Sequence, residues 1–65
     1  MKQNRLIQFR KNKNLTLSEF ANQIGISASF YYKIEEGYRR PSFQFLEKLK
    51  NTYPEIVIDE MFFAK

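Results

Sequence analysis

The side chains best suited to binding an anion lie together in the sequence, at Tyr38, Arg39, Arg40 and Ser42. Their guanidinium and hydroxyl groups are donors of the kind that bind phosphate oxygens. Ser42 also stands where a helix would begin, and the free backbone amides of a helix N-terminus attract anions. The sequence therefore predicts a phosphate clamp at this point, and the alternative is a solvated loop with ordinary charge.

The chain offers little for covalent or metal chemistry, since it contains no histidine and no cysteine. The usual zinc ligands and a histidine general base are therefore missing. No glycine-rich phosphate loop occurs, and Asp59 and Glu60 are explained as charges at the start of a helix. We expect no enzymatic activity, no metal site and no cofactor.

The length of 65 residues allows one domain, and we take residues 1–65 as a single unit. Apolar residues make up 43% of the chain, and the net charge of +4 favours a polyanionic partner, although many small domains are basic. No stretch approaches the roughly 18 apolar residues of a membrane span, and the N-terminal residues lack the apolar region of a signal peptide. We expect a cytoplasmic protein with no membrane partner and no evident small-molecule ligand.

Glycine and proline punctuate the chain at Gly25, Gly37, Pro41 and Pro54. They divide it into five segments with helical features. These segments cover about residues 2–12, 16–25, 27–37, 41–53 and 59–63. Gly37 has the position of a left-handed residue at a helix C-terminus.

Hydroxyl-bearing residues mark the predicted helix starts. Thr16 and Glu19 have the spacing of a capping box, and Ser27 and Ser42 are predicted N-caps. Residues 16–35 are thereby predicted to form two helices joined by a short turn, which is the layout of a helix-turn-helix.

Apolar residues recur at helical spacing along these segments. The predicted inward faces carry Leu6, Phe9 and Arg10 in the first helix, Leu17, Phe20, Ala21 and Ile24 in the second, Tyr31 and Ile34 in the third, and Phe43, Leu46, Leu49 and Tyr53 in the fourth. We expect Ile58 and Phe62 to close the core from the C-terminal segment. The stretch EIVID alternates as a strand would, but it is too short and unpartnered to form a sheet.

In this arrangement the chain resembles the Cro/cI-type (Xre-family) helix-turn-helix domain of phage repressors and bacterial regulators. The matching residues are Leu6, Arg10, Leu15, Phe20, Ala21, Ile24, Gly25, Ile26, Ser27, Ile34, Glu35, Gly37, Pro41 and Ser42. The resemblance implies an all-α, five-helix lambda-repressor-like bundle with the helix-turn-helix at helices 2 and 3, which binds operator DNA, usually as a dimer. Two features depart from the family pattern: Leu17 stands where a phosphate-gripping Gln is usual, and the link YPEIVID is slightly long and contains a proline.

The third helix of that family enters the major groove. The resemblance implies base readout by Ala28, Ser29, Phe30, Tyr32 and Lys33. The expected contacts to the DNA backbone are Ser27, Tyr38, Arg39, Arg40, Ser42 and Arg10. The outward face of this helix has no Arg, Asn or Gln for a bidentate base contact, so it is unusually apolar for a reader of DNA. The alternative is a protein-binding patch built on Phe30 and Tyr32, as in an antirepressor or an antitoxin-like partner.

Arg10 lies on the apolar face of the first helix, where a charge is costly unless it is matched. The resemblance pairs it with Glu35 in a partly buried ion pair. A phosphate contact is the other interpretation of Arg10, and one guanidinium can serve both roles.

The apolar C-terminal residues exceed what so small a bundle can bury, and Met61 and Phe63 are candidates for a two-fold contact between copies of the chain. Taken together, the residues and the resemblance predict a sequence-specific regulator of transcription, a dimer that represses by occluding a promoter.

Overall fold

The computed structural model describes residues 2–63 and contains helices but no strand among them. The elements are α1 (Asn4–Asn12), α2 (Leu17–Ile24), α3 (Ala28–Glu35), α4 (Phe43–Thr52) and α5 (Asp59–Phe63), the last a single π-helical turn. The predicted all-α, five-helix bundle is confirmed. No helix in this part of the chain is long and apolar enough to cross a membrane.

The helix starts follow the predicted caps. The Thr16 hydroxyl accepts from the Glu19 amide while the Glu19 carboxylate accepts from the Thr16 amide, which completes the capping box. The hydroxyls of Ser27 and Ser42 accept from the amides of the residues three positions on, each at 3.1 Å. α1 begins at Asn4, later than predicted; its N-cap residue Gln3 supplies no side-chain cap, and the amide of Gln3 donates to the carbonyl of Glu35 at 2.9 Å.

The first three helices end in the same way, with a residue in the left-handed conformation: Asn14 (φ 59°), Gly25 (φ 90°) and Gly37 (φ 84°). In each case the amide of the following residue reaches back five positions along the chain, as from Tyr38 to the carbonyl of Lys33 at 2.8 Å. These bonds define Schellman motifs, which satisfy the carbonyls of the last helical turn. The left-handed turn at Asn14 was not predicted from the sequence.

The core lies where α1 to α4 meet, and the C-terminal segment covers one side of it. Its buried apolar residues are Leu6, Phe20, Ala21, Ile24, Tyr31, Ile34, Phe45, Leu49 and Ile56. Aromatic rings fill its centre, with Phe20 stacked on Tyr53 at 5.4 Å between ring centroids and Phe9 set edge-on against Tyr53 at 5.2 Å. Such pairs add to the stabilisation from burial alone.

Two expectations about the core were wrong in part. Phe43, predicted to face the core, is 78% exposed. Phe45, which is not part of the predicted inward face of α4, is buried at 1% exposure. Ile58 and Phe62 pack against the core as expected, but both are only half-buried, and the residue buried from this segment is Ile56.

Candidate nucleic-acid interface

The turn between α2 and α3 fixes the position of the candidate recognition helix. Gly25 adopts φ 90°, which is open to glycine at no steric cost, and the amide of Ile26 donates to the carbonyl of Ala21 at 3.0 Å. Ala21 is 1% exposed, so its small side chain lies within the packed core. The Nζ of Lys48 on α4 donates to the Gly25 carbonyl at 3.2 Å, which ties a third helix to the same turn.

A buried ion pair anchors the other end of α3. Nε of Arg10 donates to Oε2 of Glu35 at 2.7 Å, and Nη2 donates to Oε1 at 3.3 Å. Nη1 of Arg10 donates to the carbonyl of Leu15 at 3.0 Å. The Arg10 and Glu35 side chains are only 13% and 3% exposed. The guanidinium of Arg10 is thus directed at protein acceptors, and the hydrogen bond with Glu35 raises its pKa.

Tyr31 lies beside this pair, on the inward face of α3. Its ring is fully buried among the core aromatics, at 5.3 Å from Phe20. Burial raises the pKa of its hydroxyl, and the neighbouring Glu35 carboxylate adds to that shift. Its oxygen has no hydrogen-bond partner of normal geometry within residues 2–63. Tyr31 therefore stays neutral and acts as a core residue.

The outward face of α3 presents a mixture of polar and aromatic groups. Ser29, Tyr32 and Lys33 are exposed, whereas Ala28 and Phe30 are half-buried and also pack against the core. Because Ala28 and Phe30 face partly inward, Ser29, Tyr32 and Lys33 present the freest side chains of the predicted readout set.

The loop after α3 folds back against that helix. The amides of Tyr38 and Arg39 both donate to the carbonyl of Lys33, at 2.8 and 3.2 Å. The ring of Tyr38 meets Tyr32 edge-on at 6.2 Å, and the guanidinium carbon of Arg39 lies 5.1 Å from the centre of the Phe30 ring. The two parts of the predicted site, helix face and loop, are therefore one continuous surface.

Most basic side chains of the described residues are already bound within the protein. These are Lys2 with Glu36, Arg5 with the carbonyl of Glu60, Arg10 with Glu35, Lys13 with Glu55, Lys48 with the carbonyl of Gly25, and Lys50 with the carbonyls of Pro54 and Ile56. Within residues 2–63, the cations without such a bond are Lys11, Lys33, Arg39 and Arg40. All of these except Lys11 lie on α3 or in the loop that follows it.

The same region is poor in acids. Between Glu19 and Glu47 the sequence has only Glu35 and Glu36 as carboxylates. Glu35 is neutralised by Arg10, and Glu36 pairs with Lys2 at 3.6 Å. The surface formed by α3 and its following loop therefore carries an unbalanced positive charge, as a binding site for a polyanion requires.

The N-caps Ser27 and Ser42 lie at the starts of α3 and α4. Each hydroxyl accepts one bond from its helix, which leaves its own proton free to donate. The first amides of each helix are also unused by intrahelical bonds. Both sites can therefore hold a phosphate oxygen.

The candidate dimer residues lie on another part of the bundle. Met61 is half-buried and lines an open groove with Phe9, Ile56 and Val57, while Phe63 is 61% exposed. The described residues contain no cluster of acidic side chains that could hold a metal ion.

Sequence reasoning missed the contact between Phe30 and Arg39. The residues are nine positions apart, on either side of a helix end, and no periodic pattern connects them. The only indication of this contact in the sequence is an aromatic residue on the predicted surface followed by an arginine-rich loop.

The helix-turn-helix family matches the chain over residues 6–55, a span that contains α1 from Leu6 onward, all of α2 to α4 and the candidate nucleic-acid interface. The chain belongs to this family, in its Cro/cI-type form, as its residue pattern predicted.

Similar proteins in Bacillus subtilis (strain 168) include three HTH-type transcriptional regulators. AnsR is 39% identical over 61 residues, which cover 94% of this chain and 52% of AnsR. SlrR is 38% identical over 58 residues, which cover 88% of this chain and 38% of SlrR. SinR is 44% identical over 46 residues, which cover 69% of this chain and 41% of SinR. The chain thus spans about half or less of the length of these relatives. No solved structure matches it.

Proposed function

We propose that this chain is a regulator of transcription that binds double-stranded DNA sequence-specifically, with α3 in the major groove. The relatives AnsR, SlrR and SinR are named as transcriptional regulators of the helix-turn-helix type, and the family match over residues 6–55 includes this chain's candidate interface. The readout residues are Ala28, Ser29, Phe30, Tyr32 and Lys33.

The observation that carries the proposal is the distribution of unpaired charge. Lys33, Arg39 and Arg40 have no partner within residues 2–63, and the nearby carboxylates of Glu35 and Glu36 are neutralised. A protein gains nothing in stability from leaving three cations together on one surface. DNA phosphates supply the missing counter-charge, and the release of counterions from DNA supplies affinity.

The backbone contacts follow from the same surface. Tyr38, Arg39 and Arg40 clamp one phosphate segment, and the N-caps Ser27 and Ser42 hold phosphate oxygens at the starts of α3 and α4. Arg10 is left out of the clamp because Nε, Nη1 and Nη2 each donate to Glu35 or the carbonyl of Leu15 and its side chain is only 13% exposed.

The active form is a homodimer that represses by occlusion of a promoter. Met61 and Phe63 form the two-fold contact, since Phe63 is 61% exposed and Met61 borders an open groove lined by apolar and charged residues. Two copies of α3 then read half-sites about 34–36 Å apart. Sedimentation at rising concentration tests this contact: Phe63→Ser is expected to shift the association to higher concentration, and a chain that stays monomeric throughout would rule the dimer out.

The experiment that tests DNA binding is selection from a randomised duplex pool, followed by a salt titration on the enriched sequence. The expected result is an enriched palindrome and an affinity that falls steeply with salt, with a log–log slope of about −0.9 for each phosphate neutralised. Weak binding without enrichment would refute sequence-specific readout.

Matched lysine variants locate the contact. Lys33→Ala is expected to reduce the magnitude of the salt slope by about 1 for each protomer, because a cation in the groove that neutralises phosphate charge is lost. Lys11→Ala is the control, since Lys11 is also a free, exposed lysine but lies on α1. Equal effects of the two substitutions would show that only net charge matters and would refute the assigned surface.

The second candidate function is a protein-binding helix-turn-helix. The observation that favours it is aromatic exposure on and near α3, where Tyr32 is 45% and Tyr38 is 71% exposed. Such aromatics are frequent at protein interfaces. If the double variant Arg39→Ala, Arg40→Ala keeps its fold and binds DNA as well as the wild type, the result favours protein binding over DNA binding.

A further inference from the structure

The outward face of α3 has no planar side chain for a two-point contact with a base near its start. Its residues Ala28, Ser29, Phe30, Tyr32 and Lys33 contain neither Arg, Asn nor Gln, and the one cation among them, Lys33, lies in the last turn. A good bidentate pair contributes about 1–3 kcal/mol of discrimination against the wrong base. If α3 lies in the groove, a neighbouring segment is the source of a planar group at the start of the helix.

Arg39 is held where it can supply that group. Its amide donates to the carbonyl of Lys33 at 3.2 Å, and Gly37, at φ 84°, turns the chain back toward the helix. Its guanidinium carbon then lies 5.1 Å from the centre of the Phe30 ring, in the first turn of α3. Residues at the start of a recognition helix are the ones that reach base edges. The contact therefore carries a cation from the loop back to the reading end of the helix.

Phe30 is a firm support for this cation. Its ring is half-buried and packs against the core, so its position is fixed by the bundle. A guanidinium over an aromatic face is held by the ring quadrupole and keeps its N–H donors available for other partners. Within residues 2–63, Arg39 has no carboxylate partner. The side chain is thus restricted before it binds, which lowers the entropy lost on contact.

We infer that Arg39 is a base-reading residue with guanine as its target, and that Phe30 is its positioning residue and not a contact to a thymine methyl group. This inference rests on the proposed function, because it requires α3 to lie in the major groove. It moves Arg39 from the backbone contacts to the readout set.

The test compares the sequence preferences of variants of the full chain in the same duplex selection. Arg39→Lys keeps the charge but loses the planar fork, so the salt slope is expected to stay and the preference for guanine at one position to fall by about 5- to 150-fold. Phe30→Leu is expected to weaken the same preference, and Phe30→Tyr to retain it because an aromatic ring remains. Lys11→Arg is the control, because it exchanges the same two cationic side chains on α1, outside the candidate interface, and it is expected to select the wild-type motif.

The outcomes separate the inference from the proposed function. If the wild-type chain selects a motif but Arg39→Lys leaves every position unchanged, or if the motif contains no guanine, the inference is overturned while DNA binding stands. If Phe30→Leu instead relaxes a thymine position that Arg39→Lys does not touch, Phe30 is itself the reader and the inference is wrong. If the wild-type chain selects no motif, the proposed function fails and the inference fails with it. Circular dichroism confirms folding of Phe30→Leu, and the exposed Arg39→Lys keeps the test decisive if that variant is unstable.

Discussion

Replacement of Glu35 by leucine tests the ion pair that joins α1 to α3. The substitution leaves the Arg10 guanidinium in a site where its side chain is 13% exposed, and it removes two charge-assisted hydrogen bonds, at 2.7 and 3.3 Å. Breaking one partner of a buried pair costs about 3–5 kcal/mol. The lower end applies here, since the guanidinium keeps its bond to the Leu15 carbonyl and some access to water. We expect a loss of about 3 kcal/mol in the free energy of unfolding.

That loss is large for this chain. At roughly 0.05–0.15 kcal/mol per residue, a domain of 65 residues has a free energy of unfolding of only about 3–10 kcal/mol. The single variant is therefore expected to retain about 0–7 kcal/mol, and at the lower end of that range it is partly unfolded at room temperature. Urea titrations followed by circular dichroism are best made in sucrose, which favours the compact state and keeps a folded baseline.

A double-mutant cycle with Arg10→Met supplies the control. Removal of both charges leaves an apolar pair, and such replacements are often close to neutral. We expect Arg10→Met with Glu35→Leu to be more stable than either single variant, with a coupling energy of at least about 2 kcal/mol. A coupling energy below about 0.5 kcal/mol would refute the reasoning, because it would mean that each charge is solvated independently of the other.

Two further perturbations test the turns and the C-terminal link. Gly25→Ala is expected to lower the free energy of unfolding by about 1 kcal/mol, since a Cβ at Gly25 would meet nothing within 4 Å and only the left-handed backbone at φ 90° opposes the substitution. Gly25→Asn is expected to lower it less. A loss above about 3 kcal/mol for Gly25→Ala in urea titrations would instead indicate a steric clash. The pKa of Glu55 is lowered, chiefly by its own backbone amide and then by Lys13, so its stabilising contribution is complete above its ordinary value of 4.5 and is lost as the pH falls through the lower folded-state value. Urea midpoints between pH 7 and pH 3 are expected to fall less for Glu55→Gln than for the wild type, with Lys13→Met intermediate; parallel curves for all three would contradict this assignment.

Much of the fold was predictable because its signals are local. A capping box at Thr16 and Glu19 and a glycine at position 25 specify a helix start and a turn through contacts within a few residues. These features agree with one another along the chain, so the number and order of the helices followed from the sequence.

The face of α4 was harder to predict because two aromatic residues compete for it. On a wheel of about 100° per residue, Phe43 lies roughly 110° from the centre of the stripe formed by Phe45, Leu46, Leu49 and Tyr53. Phe43 is also the first helical residue, where side chains lean beyond the helix end. Its spacing to Leu46 and Leu49 suggested burial, and only the packing of neighbouring helices decides between the two phenylalanines.

The candidate site was predictable in its location and not in its internal contacts. Basic residues in the loop after α3 indicated where an anion would bind. Which cations are left free is decided by distant partners, such as Glu35 for Arg10 and the carbonyl of Glu60 for Arg5. The position of Arg39 over Phe30 likewise depends on the reversal of the chain at Gly37.

The left-handed residues that end the first three helices also bear on how fast the chain folds. Each reversal, at Asn14, Gly25 and Gly37, closes within about one turn of helix and needs no distant contact to form. Helical domains dominated by such local contacts fold in microseconds to milliseconds. Because the free energy of unfolding is small, rapid folding implies comparatively frequent opening, followed by prompt reclosure. Prompt reclosure shortens the time for which the core aromatics are exposed to another chain, so rapid folding is expected to limit aggregation.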